Sequence, residues 1–222
     1  MKARASIIVV AIGATSLSSP ASADLMVSNL GQDSDGSIGV SNAGGVSFAV
    51  YASKFTTGAD SSVVTEATAT MNYSAPFGLG TAGYQAYIYT GSGATPDSLV
   101  AVFDNLPTLS SGAGVANVTF ESDLGIALDA DTDYWFAIRA LAGTSLAWMS
   151  TTSDGESSTQ GWTIDNSAVA SSLNSGSAWS DRSDFYNGYV PKYSLEGNVV
   201  PSPGALAMFG LAGLATARRR RA

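Results

Sequence analysis

Val63-Val64-Thr65-Glu66-Ala67-Thr68-Ala69-Thr70-Met71-Asn72-Tyr73, residues 63–73, alternates between two kinds of side chain. Val63, Thr65, Ala67, Ala69, Met71 and Tyr73 fall on one face. Val64, Glu66, Thr68, Thr70 and Asn72 fall on the other. A period of two is the period of a strand. One mostly apolar and one mostly polar face is the pattern of an antiparallel sheet with one side in water. Residues 191–199 repeat it, with Tyr193, Leu195, Gly197 and Val199 set against Lys192, Ser194, Glu196 and Asn198.

Outward from these two stretches the chain is a series of short strands. Tyr84 to Thr90 ends at Gly91-Ser92-Gly93, Leu99 to Phe103 follows the turn Thr95-Pro96-Asp97, and Val115 to Phe120 comes next. Tyr134 to Leu141 is nearly continuously apolar, which predicts a central strand buried on both faces. Leu146 to Thr151 is placed to pair with it across Ala142-Gly143-Thr144. Shorter candidates are Leu25 to Asn29, Val46 to Phe55, Gly161 to Ile164 and Ala178 to Arg182. Long runs with helical spacing are absent outside the two ends, which argues against crossover helices and a parallel sheet. The expected fold is all-β: one antiparallel two-sheet β-sandwich, jelly-roll-like, over residues 24–199.

Composition narrows the chemistry. The chain has 222 residues with no Cys and no His. Disulfide scaffolds, thiolate nucleophiles, Ser-His-Asp triads and His-ligated metals are therefore excluded. Six of the 10 basic residues, Lys2, Arg4, Arg218, Arg219, Arg220 and Arg221, lie in the terminal segments, and all 18 acids lie between them. The intervening domain keeps only Lys54, Arg139, Arg182 and Lys192 and carries a net charge of −14. Nucleic acid, held chiefly through phosphate neutralisation, is not an expected partner.

The ends of the chain read as addresses. Lys2 and Arg4, the apolar run Ile7 to Leu17 and the small residues Ala21-Ser22-Ala23 make a secretory signal peptide over residues 1–23. Signal peptidase would cut between Ala23 and Asp24. At the other end, Val200-Pro201-Ser202-Pro203 breaks the last strand, and Gly204 to Ala217 is apolar or small. Four consecutive cations, Arg218, Arg219, Arg220 and Arg221, close the segment. This is a short C-terminal transmembrane helix with a cytoplasmic stop-transfer cluster. Its 14 apolar residues cover about 21 Å of a hydrocarbon core about 30 Å thick, which suits a transient anchor.

Residues 200–222 resemble a PEP-CTERM sorting signal in its Val-Pro-Ser-Pro form, with Ser202 where the name-giving motif has Glu. The resemblance implies an exosortase-type protease as a second processing partner, and a cell-envelope, outer-surface or extracellular destination. A second resemblance rests on Phe55-Thr56-Thr57-Gly58, on Tyr87 to Thr90 leading to Pro96-Asp97-Ser98-Leu99, on Leu128 to Phe136, on Ala147 to Thr151 and on Gly161-Trp162. These elements are similar to the choice-of-anchor (type R) bacterial surface modules. That implies an exported β-sandwich and transfers no catalytic residues.

Three constellations are candidates for binding or catalysis. Asp129, Asp131 and Asp133 alternate in one loop, a spacing that calcium sites use, although the turn glycine and distal Glu of an EF-hand are missing. The competing reading is a solvated turn whose Asp side chains bond nearby amides, and it is the favoured one. Asp33-Ser34-Asp35-Gly36 and Asp154-Gly155-Glu156 are further acidic turns. Trp148, Trp162 and Trp179, with Tyr186 and Tyr189, could form a sugar-stacking platform for an extracellular polysaccharide, or fill the core; for Trp135 core filling is expected. A glycosidase needs a pair of carboxylates, but Glu66 and Glu196 fall on strand positions expected to face solvent. Arg139, in a strand expected to be buried, needs a carboxylate or carbonyl partner and reads as structural. The sequence thus points to a non-enzymatic exported surface or matrix protein, with no catalytic residues and no cofactor beyond possible calcium. A calcium-assisted lectin-like module is the alternative.

Overall fold

The computed structural model describes residues 23–41, 50–73, 81–110, 114–141, 145–159 and 161–200. Most of the signal peptide, including Ala21, lies outside the described residues. So does the sorting tail from Pro201, Ser202 and Pro203 to the stop-transfer residues Arg218, Arg219, Arg220 and Arg221. The elements run β1 (Asp24–Ser28), β2 (Gly36–Ser41), β3 (Val50–Thr56), β4 (Ser62–Tyr73), β5 (Thr81–Thr90), β6 (Leu99–Val102), β7 (Thr108–Ser110) and β8 (Gly114–Leu128). They continue with β9 (Asp133–Ala140), β10 (Ser145–Thr151), β11 (Ser157–Ser158), β12 (Thr163–Ser172), β13 (Ser180–Asp181), α1 (Ser183–Tyr186), β14 (Val190–Pro191) and β15 (Tyr193–Val199). Among the described residues no helix is long and apolar enough to cross a membrane.

The strands form two antiparallel sheets. Sheet A has the order β11-β1-β15-β4-β10-β14, with β2 also on β10 and β8 on β4. Sheet B has the order β13-β12-β3-β9-β5-β6, with β7 also on β5. The main core joins them: Ala67, Ala69, Met71, Phe120, Trp148, Tyr193 and Leu195 from sheet A meet Phe55, Ala86, Ile88, Phe136 and Ile138 from sheet B. Phe136 is its hub, with ring contacts to Trp148 at 5.6 Å and Tyr193 at 5.1 Å, both from the opposite sheet.

Two expectations are corrected here. Tyr134 to Leu141 and Leu146 to Thr151 do not pair: β9 lies in sheet B and β10 in sheet A. Each carries a large ring to bury, and the two strands oppose each other across the core, where Phe136 and Trp148 meet edge to face. The alternation of residues 63–73 also does not run through. Ala67, Ala69 and Met71 are buried as expected, but at the start of the strand it is Val64 that is buried and Val63 that is partly exposed. The register of β4 slips against both neighbours between Val64 and Glu66: against β15 Thr65 is an extra residue, whereas against β8 four residues, 122–125, stand opposite it. A bulge of this kind exchanges the faces of the strand on either side of it.

The same bulge explains two glycines. On β15, Gly197 pairs with Val64, and a Cβ there would run into the carbonyl of Val63. On β8, residues 122–125 swing out of the ladder between Glu121 and Ile126, and Gly125 turns the chain back at φ +71° against the Val63 side chain. The outer edge of β8 is closed by the segment after β6. The Asp104 amide donates to the Glu121 carbonyl at 2.8 Å. The Asn105 side chain accepts from the Glu121 amide at 2.9 Å and donates to the Thr119 carbonyl at 3.2 Å. A side-chain amide thereby occupies groups that would otherwise template another strand.

Candidate functional site

Both chain ends of the domain lie side by side. β1 and β15 are antiparallel neighbours, and Asp24 pairs with Gly197. Val199 pairs with Ser62, and Ser62 pairs with Leu128, which opens the acidic loop 129–132. The Val200 amide donates to the Ser61 carbonyl at 2.8 Å, so the last described residue is still tied to the fold. The residues flanking both expected cleavage positions, Ala23 and Asp24 at one end and Val200 at the other, therefore sit at one pole.

The acidic triplet sits at that pole, and its carboxylates are not brought together. Thr57 closes the loop: its hydroxyl donates to the Asp129 carbonyl at 2.6 Å and accepts from the Thr132 amide at 2.9 Å. The Asp129 amide donates to the Tyr134 hydroxyl at 3.0 Å, and the Asp131 amide donates to the Gly58 carbonyl at 2.9 Å. Asp131 holds the left-handed conformation this turn needs, at φ 46°. The Asp133 carboxylate accepts from the Thr56 hydroxyl at 2.7 Å and lies 4.0 Å from Lys54 Nζ. Phe55-Thr56-Thr57-Gly58 and Leu128 to Phe136 are thus two halves of one interlocked turn. Among the described residues no group of three or more acidic side chains is arranged to hold a metal ion.

The other acidic turns also spend their carboxylates on bonds within the fold. Asp35 accepts from both the amide and the hydroxyl of Thr152, at 2.9 and 2.8 Å, and these bonds hold its carboxyl below the ordinary range. Glu156 accepts from the Ile164 amide at 2.8 Å, and Asp154 accepts from the Asn166 side chain at 3.1 Å. Lys192 is buried and donates to the Gln32 carbonyl and to Ser34 Oγ, which anchors the loop between β1 and β2.

Glu66 and Glu196 do lie on the outer face of sheet A, with a third carboxyl in register. Glu196 pairs with Glu66, and Glu66 pairs with Glu121. Burial and the two flanking charges push the Glu66 carboxyl above its ordinary value. The three stand in one row along neighbouring strands, whereas a glycosidase pair flanks its bond from two sides.

The aromatic set divides. Trp148 and Trp162 are fully buried in the core; the Trp148 indole donates to the Lys192 carbonyl at 2.9 Å, and Trp162 stacks on Phe55 at 5.7 Å and 6°. Tyr186 packs edge-on against Tyr51, and Tyr189 lies over Gly36. Trp179 alone of the three folds over the outer face of sheet B, edge-on to Tyr89 at 5.3 Å. A second apolar cluster lies there, floored by Ala52, Ala137 and Ala170 and including Trp135. Trp135 is fully buried, but in this outer cluster rather than between the sheets. Sequence reading missed this cluster. Its signal was the alternate placement of Tyr87 and Tyr89 in the strand from Tyr84 to Thr90. Arg139 belongs to the same face: its guanidinium lies 5.7 Å from the Tyr87 ring centre, and no carboxylate lies within ion-pair distance among the described residues. Where a carboxylate or carbonyl partner was expected, the contact found among the described residues is a ring face.

No protein-family model matches the chain, and no curated protein is similar to it in sequence.

Proposed function

We propose that the chain is a non-enzymatic exported module, cut by signal peptidase before Asp24 and by an exosortase-type protease near Pro201-Ser202-Pro203, and displayed at the cell surface or in the extracellular matrix. The observation that supports the reading is the pairing of β1 with β15, which puts the stubs of both addresses at one pole. A membrane that holds either end then meets the same side of the domain. Asp24 to Ser28 and Tyr193 to Val199 are ladder strands, so removing the segments before and after them takes away no described strand.

The sheets are read here as a jelly-roll-like sandwich. Successive long strands change sheet, from β2 in A to β3 in B, β4 in A and β5 in B, and again from β8 to β9 to β10. Such crossing brings the loops to the two poles and leaves the faces for contact. The tail is read as a short helix that stops export while the protease acts, with Arg218, Arg219, Arg220 and Arg221 on the cytoplasmic side.

Mass spectrometry of the protein from an exosortase-positive host tests both cuts. The expected species begins at Asp24 and lacks Arg218 to Arg221. Intact Met1 outside the cell, or a full-length tail persisting in the membrane fraction with no shorter form, would overturn the reading.

A further inference from the structure

On the reading that the module is held through its C-terminal end, we propose that β15 is a force-resisting strand. A pull on that end is taken in shear by β15 and stopped by a clamp of hydrogen bonds around residues 191–193. β15 is an inner strand of sheet A, between β1 and β4. It pairs with β4 at seven positions, from Tyr193 on Ala69 to Val199 on Ser62, and with β1 at four, from Ser194 on Ser28 to Gly197 on Asp24. Tyr193, Ser194 and Leu195 are buried. Both ladders are antiparallel, so their bonds lie across the strand axis. The opposite pole of the sheet is where Asn72 of β4 pairs with Val115 of β8. A pull on Val200 against that pole runs along the strands and loads both ladders together.

The clamp closes the inner end of β15. Asn29 is buried just after β1 and grips the chain on both sides of Lys192. Its side-chain amide donates to the Pro191 carbonyl at 3.0 Å, and its side-chain carbonyl accepts from the Tyr193 amide at 2.7 Å. Its own backbone amide donates to the Tyr193 carbonyl at 3.1 Å. The Lys192 carbonyl accepts from the Thr70 amide at 3.1 Å and from the Trp148 indole at 2.9 Å, while the Lys192 amide donates to the Met149 carbonyl at 2.8 Å. Lys192 is itself buried, and its ammonium donates to the Gln32 carbonyl and to Ser34 Oγ. Three consecutive residues are thus held by the segment after β1, by β4 and by β10. For β15 to slide, these bonds must break together and leave buried groups unpaired, which is costly.

The other chain end is held differently. Apart from β15, β1 pairs only with the two residues of β11 among the described residues. Asp24 and Val200 lie at one pole, so pulling them apart parts β1 from β15 at that pole and opens the pairs one after another. The same fold is weak to that pull and strong to the first.

The chain has no cysteine, so paired cysteine substitutions give unique attachment points for single-molecule force measurements on the full chain. Val115→Cys with Val200→Cys loads β15 in shear, and Asp24→Cys with Val200→Cys peels it from β1; all three positions are exposed. The rupture force is expected to be several times higher in the first geometry, because forced unfolding follows the unfolding rate under load. Lys192→Met keeps the stem and removes the ammonium. It is expected to lower the shear force and leave the peeling force unchanged, whereas a general loss of stability would lower both. Equal forces in the two geometries, or a loss shared by both in Lys192→Met, overturns the proposal. The comparison of geometries needs no clamp variant, so it decides even where Lys192→Met fails to fold. Neither measurement depends on where the chain is cut, so a failed clamp and a failed cleavage reading are told apart.

Discussion

Among the described residues, Glu66 carries a charge that works against the fold. It stands between Glu121 and Glu196 on adjacent strands, and like charges placed directly opposite destabilise a sheet. Its carboxyl is raised, so the folded state holds that proton more tightly than the unfolded chain does. The contribution is therefore most favourable below the unfolded value and is lost as pH rises through the folded one. Asp35 and Asp165 have lowered carboxyls and act in the opposite sense, their contribution being lost as pH falls. Comparison with Glu66→Gln isolates the first effect. The variant is expected to be more stable at pH 7 by about 0.2–1 kcal/mol, since solvent screens this face. For a domain of this size that is a rise of about 0.5–4 °C in Tm. The gain should shrink toward pH 4.5. An unchanged difference between the two pH values would show that the repulsion is not its origin.

For the strands, the bulge in β4 decides how much was readable. The period of two in residues 67–71 identified a strand and its buried face, because a sheet with one wet side imposes that pattern. The residues before Thr65 carry the same alternation on the opposite face, and a register slip leaves no mark of its own in a run such as Val63-Val64-Thr65. Its traces are two glycines on the partner strands, Gly125 and Gly197; at Gly197, four residues beyond Tyr193, the partner backbone comes too close for a side chain. Gly197→Ala is expected to cost about 1–3 kcal/mol, as overpacking does, because the obstacle is backbone rather than a movable side chain. Urea unfolding measures it, and a midpoint unchanged from wild type would mean that the bulge relaxes freely. Sheet membership was less legible than strand position. Leu146 to Thr151 was located correctly but assigned to the wrong neighbour, since a three-residue connection of Ala, Gly and Thr serves a hairpin and a change of sheet equally well. The site residues followed the same rule. Local chemistry placed the acids in turns, while the stacking of Arg139 on Tyr87 depends on a register between β9 and β5 that neither strand encodes alone.

Across the whole molecule the dominant quantity is charge. The domain between the two addresses carries −14, while Lys54 is tied to Asp133 and Asp165 and Lys192 is turned inward. Such an excess keeps copies apart and strains the compact state through self-repulsion. Salt screens that repulsion, with a Debye length of about 30 Å at 0.01 M and about 10 Å at 0.1 M. Raising sodium chloride over this range is therefore expected to raise Tm by a few degrees. Calcium separates screening from binding. A site with millimolar Kd, given tenfold excess ligand, would add about 1.4 kcal/mol beyond screening, or about 3–6 °C. Because Asp133 is engaged by Thr56 and Lys54, and Asp129 and Asp131 do not converge on it, calcium at matched ionic strength is expected to do no more than sodium. EDTA should leave near-UV dichroism unchanged. A saturable extra gain in calcium, abolished by Asp133→Asn, would instead make the loop 129–132 a binding site and turn the pole that carries both chain ends into a calcium-dependent one.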